Sequence, residues 1–142
     1  MVVKSSSVPP NKVIEIVREC MIRLEEADRN IEKKNVDLEV VKRRIEEVRP
    51  YISILTSKWV PEILYALALK GHMSFNELKQ TLGISSRVLS DKLQELQRLE
   101  LLVKESSDEK PKRVRYRLTE KGKKVIYALT PFLIAIYINK EE

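Results

Sequence analysis

The chain is poor in the residues that most catalytic and secreted-protein chemistries require. Its 142 residues include one cysteine, Cys20, and one histidine, His72. A lone thiol excludes an intrachain disulfide and a cysteine-rich zinc site, and a lone imidazole argues against a His-based metal cluster or triad. With three glycines there is no phosphate-cradling loop, and neither paired acids nor a Ser/Cys–His pair stands out. The expectation is a protein that is not an enzyme and carries no cofactor and no metal. Aromatics are few, 6% of residues, which fits a mostly helical chain better than a β-sandwich. No apolar run approaches the roughly 18 residues of a membrane span. The opening MVVKSSSVPPNK lacks the apolar centre of a signal peptide. No membrane partner and a cytoplasmic location are therefore expected.

What the chain has is charge, 34% of residues, enough apolar residues for a core, 43%, and a net charge of +6. The excess is concentrated. Lys110–Lys124, KPKRVRYRLTEKGKK, holds eight Lys or Arg and one acid, while the remainder of the chain is close to neutral. A local cationic surplus points to an anionic partner.

Residues 1–10, rich in Ser and Pro, read as a flexible tail, with Asn11 placed to cap a helix. From Val13 to Val48 a seven-residue apolar pattern runs with neither Gly nor Pro. One set is Val17, Leu24, Ile31, Leu38 and Ile45; the interleaved set includes Val13, Cys20, Ala27, Val41 and Val48, with Lys34 as the polar exception. Alternating three- and four-residue steps place these side chains on one helical stripe, the seam of a coiled coil. A long helix over 11–49 with one apolar stripe is expected to pair with a copy of itself. The alternative is a helix that folds back as a hairpin or packs along its own domain, with the break at KKNVD, residues 33–37, where Asn and Asp are weak helix formers.

Pro50 is expected to end that rod. Beyond it the pattern reads helix, helix, helix, strand, strand, helix. Ser57 is placed to cap a helix with Pro61 in its first turn and Trp59, Ile63, Leu64 and Leu67 inward. Asn76–Leu82 is a short helix stopped by Gly83. A further helix starts at Ser85 or Ser86, with Ile84, Val88, Leu89, Leu93, Leu96 and Leu99 inward and Ser86, Arg87, Ser90, Asp91, Gln94, Gln97 and Arg98 on the polar face. Leu101–Lys104 and Val114–Leu118 form a hairpin, in which Val114, Tyr116 and Leu118 face the core and Arg113, Arg115 and Arg117 face out. Thr119 caps the last helix.

A short helix, a Gly turn, a second helix with a polar outer face and a basic hairpin define a winged helix-turn-helix. The fold class expected is mainly α with a small β-hairpin wing, the winged domain over 50–142 following the long N-terminal helix. A helix about 10–12 Å across suits the roughly 12 Å major groove of duplex DNA. The recognition-helix candidates are Ser85, Ser86, Arg87, Ser90, Asp91 and Gln94. The wing candidates, set against phosphates or the minor groove, are Lys110, Lys112, Arg113, Arg115 and Arg117. The dimerisation candidates are Val17, Cys20, Leu24, Ala27, Ile31, Leu38, Val41, Ile45 and Val48. Double-stranded DNA and a second copy of the chain are the expected partners, and a small-molecule effector is left open. A weakly specific architectural DNA-binding protein and a winged protein-interaction module are the alternatives.

The segments Lys58-Trp59, Phe75-Asn76-Glu77-Leu78, Gly83-Ile84-Ser85-Ser86-Arg87-Val88-Leu89 and Val114-Arg115-Tyr116-Arg117-Leu118-Thr119-Glu120-Lys121-Gly122 resemble the HxlR-type transcriptional regulators, winged-helix relatives of the MarR group. The resemblance spans about residues 50–138. It implies a dimeric regulator that reads a pseudo-palindromic site with the helix from Ser85 to about Leu99. Redox-sensing members carry a cysteine just before the proline at this point; here the residue is Arg49.

Overall fold

The computed structural model describes residues 10–141. The tail expected over 1–10 thus lies, apart from Pro10, outside the described residues. Helix α1 spans Pro10–Asn30, and a single 3-10 turn follows at Lys33–Asn35. Helices α2 (Leu38–Leu55), α3 (Val60–Lys70), α4 (Phe75–Leu82) and α5 (Ser86–Arg98) come next. Strands β1 (Leu102–Ser106) and β2 (Val114–Leu118) and helix α6 (Glu120–Glu141) complete the order. Pro10 opens α1, where its fixed φ and missing N–H cost nothing. Asn11 therefore lies inside the first turn and is not the cap.

The expected uninterrupted helix over 11–49 is two helices. The interruption falls at residues 31–37, the Asn- and Asp-containing stretch. Asp37 starts α2: its Oδ1 accepts from the Glu39 N–H at 2.9 Å, and its carbonyl accepts from Val40 and Val41. Asn35 donates to Glu32 at 3.1 Å and Lys33 pairs with Asp28 at 3.1 Å. These local polar bonds compete with the helical ladder, and no apolar burial opposes them, since Ile31, Val36 and Leu38 are all exposed. The opposite correction applies at Pro50. It does not end a helix but sits inside α2. The proline removes one ladder donor, a local loss. Burial of Ile54 and the packing of Tyr51 and Leu55 on the core reward the helix for continuing.

The chain divides into two compact units. The larger, Arg43–Tyr127, contains the hydrophobic core. Helix α3 contributes Val60, Ile63, Leu64 and Leu67, one face at three- and four-residue steps. Helix α5 contributes Leu89, Leu93 and Leu96. Each of these side chains is worth about 1.5–3 kcal/mol when fully buried. Leu101, Leu102, Tyr116, Leu118 and Ile126 close the core from the hairpin and α6. Val88 is not inward as expected; it is 38% exposed. Ser57 does not cap α3: its hydroxyl donates to the Ile54 carbonyl at 2.7 Å, and Trp59 occupies the cap position with φ +78°. Trp59 is half-buried against the core rather than within it.

The hairpin is antiparallel, pairing Leu102 with Leu118, Lys104 with Tyr116 and Ser106 with Val114. The other edge of β2 is also paired. Met73 and Tyr116 exchange two backbone hydrogen bonds, at 3.0 and 2.8 Å, so the wing is pinned to the segment between α3 and α4.

The start of α6 is fastened with less obvious means. Thr119 Oγ1 accepts from the Gly122 N–H at 3.0 Å, the cap expected from the sequence, and donates to the Glu100 carbonyl at 2.6 Å. Its N–H donates to the Leu101 carbonyl at 3.1 Å. Gly122 is buried at this crossing, and a Cβ there would stand 2.0 Å from the Leu101 oxygen. Only glycine lets the helix approach the α5–β1 connection so closely.

The smaller unit holds the residues up to Lys42 together with Ala128 onward. Within it Val17 is buried, 3% exposed, whereas Leu24, Ile31 and Leu38 are open, Leu38 to 77%.

Candidate nucleic-acid interface

Helices α4 and α5 form the helix-turn-helix. Ser74 caps α4 by accepting from the Glu77 N–H at 3.1 Å, with Glu77 itself in the first turn. Gly83 ends α4 with φ +67°, a left-handed conformation that glycine adopts freely. Ser85 caps α5 by accepting from the Val88 N–H at 3.3 Å. Of the recognition-helix candidates, Ser85 is thus committed to the helix end, though it stays exposed. Ser86, Arg87, Asp91 and Gln94 are exposed, and Ser90 is half-buried. With Leu89, Leu93 and Leu96 locked in the core, the outward centre of α5 falls on Arg87, Asp91, Gln94 and Arg98, at steps of four, three and four. Arg98 is part of this row, a member that the helical wheel indicates but the candidate set omitted. Arg87 and Gln94 suit bidentate contacts to guanine and adenine, and Asp91 suits the amino group of cytosine.

The three wing arginines are not equivalent. Arg117 donates to the Glu105 carboxylate at 2.6 Å and to the Leu118 carbonyl at 3.3 Å. Arg115 is half-buried, with its guanidinium 2.9 Å from His72 Nδ1. Arg113 is exposed; its backbone closes the loop through Ser107, accepting from the Ser107 N–H at 2.8 Å and donating to the hydroxyl at 3.0 Å. Alternation along β2 predicts a uniform arginine face, but it is silent about cross-strand and inter-segment partners. Tyr116 and Leu118 are buried as expected, whereas Val114 is 38% exposed. Lys110 and Lys112 are exposed on the loop, flanking Pro111.

Other basic residues are engaged with partners at the surface. Lys121 lies 4.6 Å from the Tyr51 ring centre and donates to its hydroxyl at 2.5 Å, joining α6 to α2. Lys123 pairs with Glu120 at 3.0 Å. Among the described residues no cluster of His, Cys, Asp or Glu is placed to hold a metal ion. No single described helix is long and apolar enough to cross a membrane.

The dimerisation candidates fall in three groups. Val17 is already covered. Cys20, Leu24, Ala27, Ile31 and Leu38 are exposed on or next to α1 and the interruption. Val41, Ile45 and Val48 form an exposed apolar row on α2, which Ile52 extends. The interruption means these residues do not make one continuous seam.

A two-stranded wing behind a helix-turn-helix, with a polar outward row on its second helix, defines the chain as a winged helix-turn-helix protein. Residues 54–137 match the HxlR-like helix-turn-helix family, and the chain belongs to that family. It is 39% identical over 83 residues to the HTH-type transcriptional regulator YvaP of Bacillus subtilis, covering 58% of this chain and 72% of that protein. The reduced form of the transcriptional regulator YodB from B. subtilis superposes with a TM-score of 0.58 at 28% identity, covering 61% of this chain and 85% of that one. A structure described as a MarR-family regulator from Enterococcus faecalis V583 gives 0.60 at 27% identity, covering 78% and 97%. The mainly helical winged fold with its two-stranded hairpin and the family resemblance are both as expected from the sequence.

Proposed function

We propose that the chain is a dimeric, sequence-specific regulator of transcription that grips double-stranded DNA with α5 in the major groove and the wing against the backbone. The observation that carries this is the outward row Arg87, Asp91, Gln94 and Arg98, presented by a helix whose opposite face is wholly committed to the core. Arg87, Asp91 and Gln94 read bases, with Ser86 and Ser90 on the flank. Ser85 sets the start of the helix. Arg113, Lys110 and Lys112 are the principal wing contacts to phosphate, because Arg115 and Arg117 have partners within the protein. Two copies associate through the exposed apolar rows of α1 and α2, Leu24 and Val41, Ile45 and Val48 among them. A twofold pair of such domains reads two half-sites. Position 49 is an arginine ion-paired with Glu46 at 2.8 Å, so thiol sensing at that position is not part of the proposal.

Selection of binding sites from a random pool, followed by titration at physiological salt, tests this directly. A selected operator should bind at least about 10³-fold more tightly than random DNA. A ratio near one with a steep salt slope would replace the regulator by an architectural protein.

A further inference from the structure

We propose that the cleft between the end of α3, strand β2 and the start of α6 binds a small aliphatic carboxylate. The proposal goes beyond the DNA-binding function and does not depend on it. The cleft has a volume of about 330 Å³. Its floor is Leu67, Leu118 and Ile126, all branched and aliphatic, with the exposed Tyr127 beside them. Its rim carries Arg117 and Lys123, and no acidic residue lines it. Gly71 stands at the wall with φ +84°, and nothing lies within 4 Å of the place where a side chain would project.

This combination selects for one chemistry. Inorganic anions satisfy the cations but gain nothing from an aliphatic floor. Neutral apolar molecules gain from the floor but leave the rim charges unanswered. A monocarboxylate with a short alkyl chain meets both. The rim cations have partners, but interchangeable ones. Arg117 pairs with Glu105 and Lys123 with Glu120, and all four side chains are about half exposed or more. Exposed ion pairs of this kind are weak. A ligand carboxylate can take the guanidinium fork while the displaced glutamates return to water. Arg117 belongs to β2 and its partner Glu105 to β1, so the ligand would act on a contact that joins the two strands of the wing.

Calorimetric titration of the full chain, without DNA, with hexanoate, hexanamide and inorganic phosphate provides the test. Hexanoate should bind, hexanamide about tenfold more weakly or worse, as loss of a charged hydrogen bond requires, and phosphate not at all. Arg117→Gln with Lys123→Gln should cost hexanoate at least about tenfold. Ala68→Phe, at an exposed lining position, should fill the cleft and abolish binding. Equal binding of acid and amide, no hexanoate binding into the millimolar range, or undiminished binding by Ala68→Phe would each overturn the proposal. So would a change in sedimentation of Ala68→Phe in a chain that never binds hexanoate, which would make the cleft a contact with a second copy.

Discussion

Gly122→Ala pits local helix preference against one tertiary contact. Gly122 lies in the first turn of α6, where replacing glycine by alanine ordinarily stabilises a helix by about 0.5–1 kcal/mol. Here the added methyl would meet the Leu101 carbonyl oxygen at 2.0 Å, its carbon at 3.1 Å and Leu118 Cδ2 at 3.3 Å. The first two are backbone atoms and cannot swing aside. Leu101 is itself buried, and its carbonyl accepts from Thr119. To relieve the clash α6 must lift, which strains or breaks the Thr119–Leu101, Thr119–Glu100 and Gly122–Thr119 bonds. Overpacking costs about 1–3 kcal/mol and each lost hydrogen bond about 1 kcal/mol. After the helix-propensity gain the net loss is roughly 2–4 kcal/mol. In a domain of this size that lowers Tm by roughly 6–15 °C. Urea unfolding followed by far-UV circular dichroism measures it. Gly83→Ala is the control: φ is +67° but nothing lies within 4 Å of its added Cβ, so only the left-handed strain of about 1–2 kcal/mol applies. If Gly122→Ala leaves stability unchanged or raises it, the close crossing of α6 over Leu101 is wrong.

Four further outcomes are expected. Arg113→Ala should weaken binding to every DNA sequence and flatten the salt slope by about one unit, whereas Arg87→Ala or Gln94→Ala should change the preferred sequence, as read by site selection. Ile45→Asp with Val48→Asp should shift the sedimenting species from dimer to monomer; a dimer that persists moves the interface to the exposed Phe132, Leu133, Ile136 and Tyr137 of α6. Ser85→Ala should cost about 1 kcal/mol in urea unfolding through loss of the α5 cap. The Glu46 carboxyl, which accepts a hydrogen bond from the Arg49 guanidinium and feels its charge, is held below its ordinary pKa. The pair therefore contributes fully above the ordinary carboxylate range, and the contribution vanishes as pH falls through the lowered value. Carboxyl NMR titration should show the Glu46 midpoint rising in Arg49→Gln.

The winged domain was legible because local signals and burial agree there. Gly83 is both the turn residue the pattern needs and the helix end; Leu89, Leu93 and Leu96 have helical spacing and are buried together. In the N-terminal segment the seven-residue period favours one long helix, but the alternative, a break at residues 33–37, is what the chain adopts: Asn35 and Asp37 hold a helix weakly, and nothing buries the residues around them. Pro50 was misjudged for the converse reason. A breaker inside a segment whose next turns enter the core does not break it.

Sequence alone determined the secondary-structure alphabet of residues 60–120, the location of the positive charge and the polar row of α5, since each depends on residue type and on periods of two or 3.6. Tertiary structure decided which of those charges are free. Arg115 meets His72, 43 residues away in the chain, and Arg117 meets Glu105 across the hairpin. It also decided that Gly122 is irreplaceable, because the carbonyl it must clear belongs to Leu101, a neighbour only in space. Contacts between residues distant in sequence leave no periodic trace, and the three-dimensional chain is where they first exist.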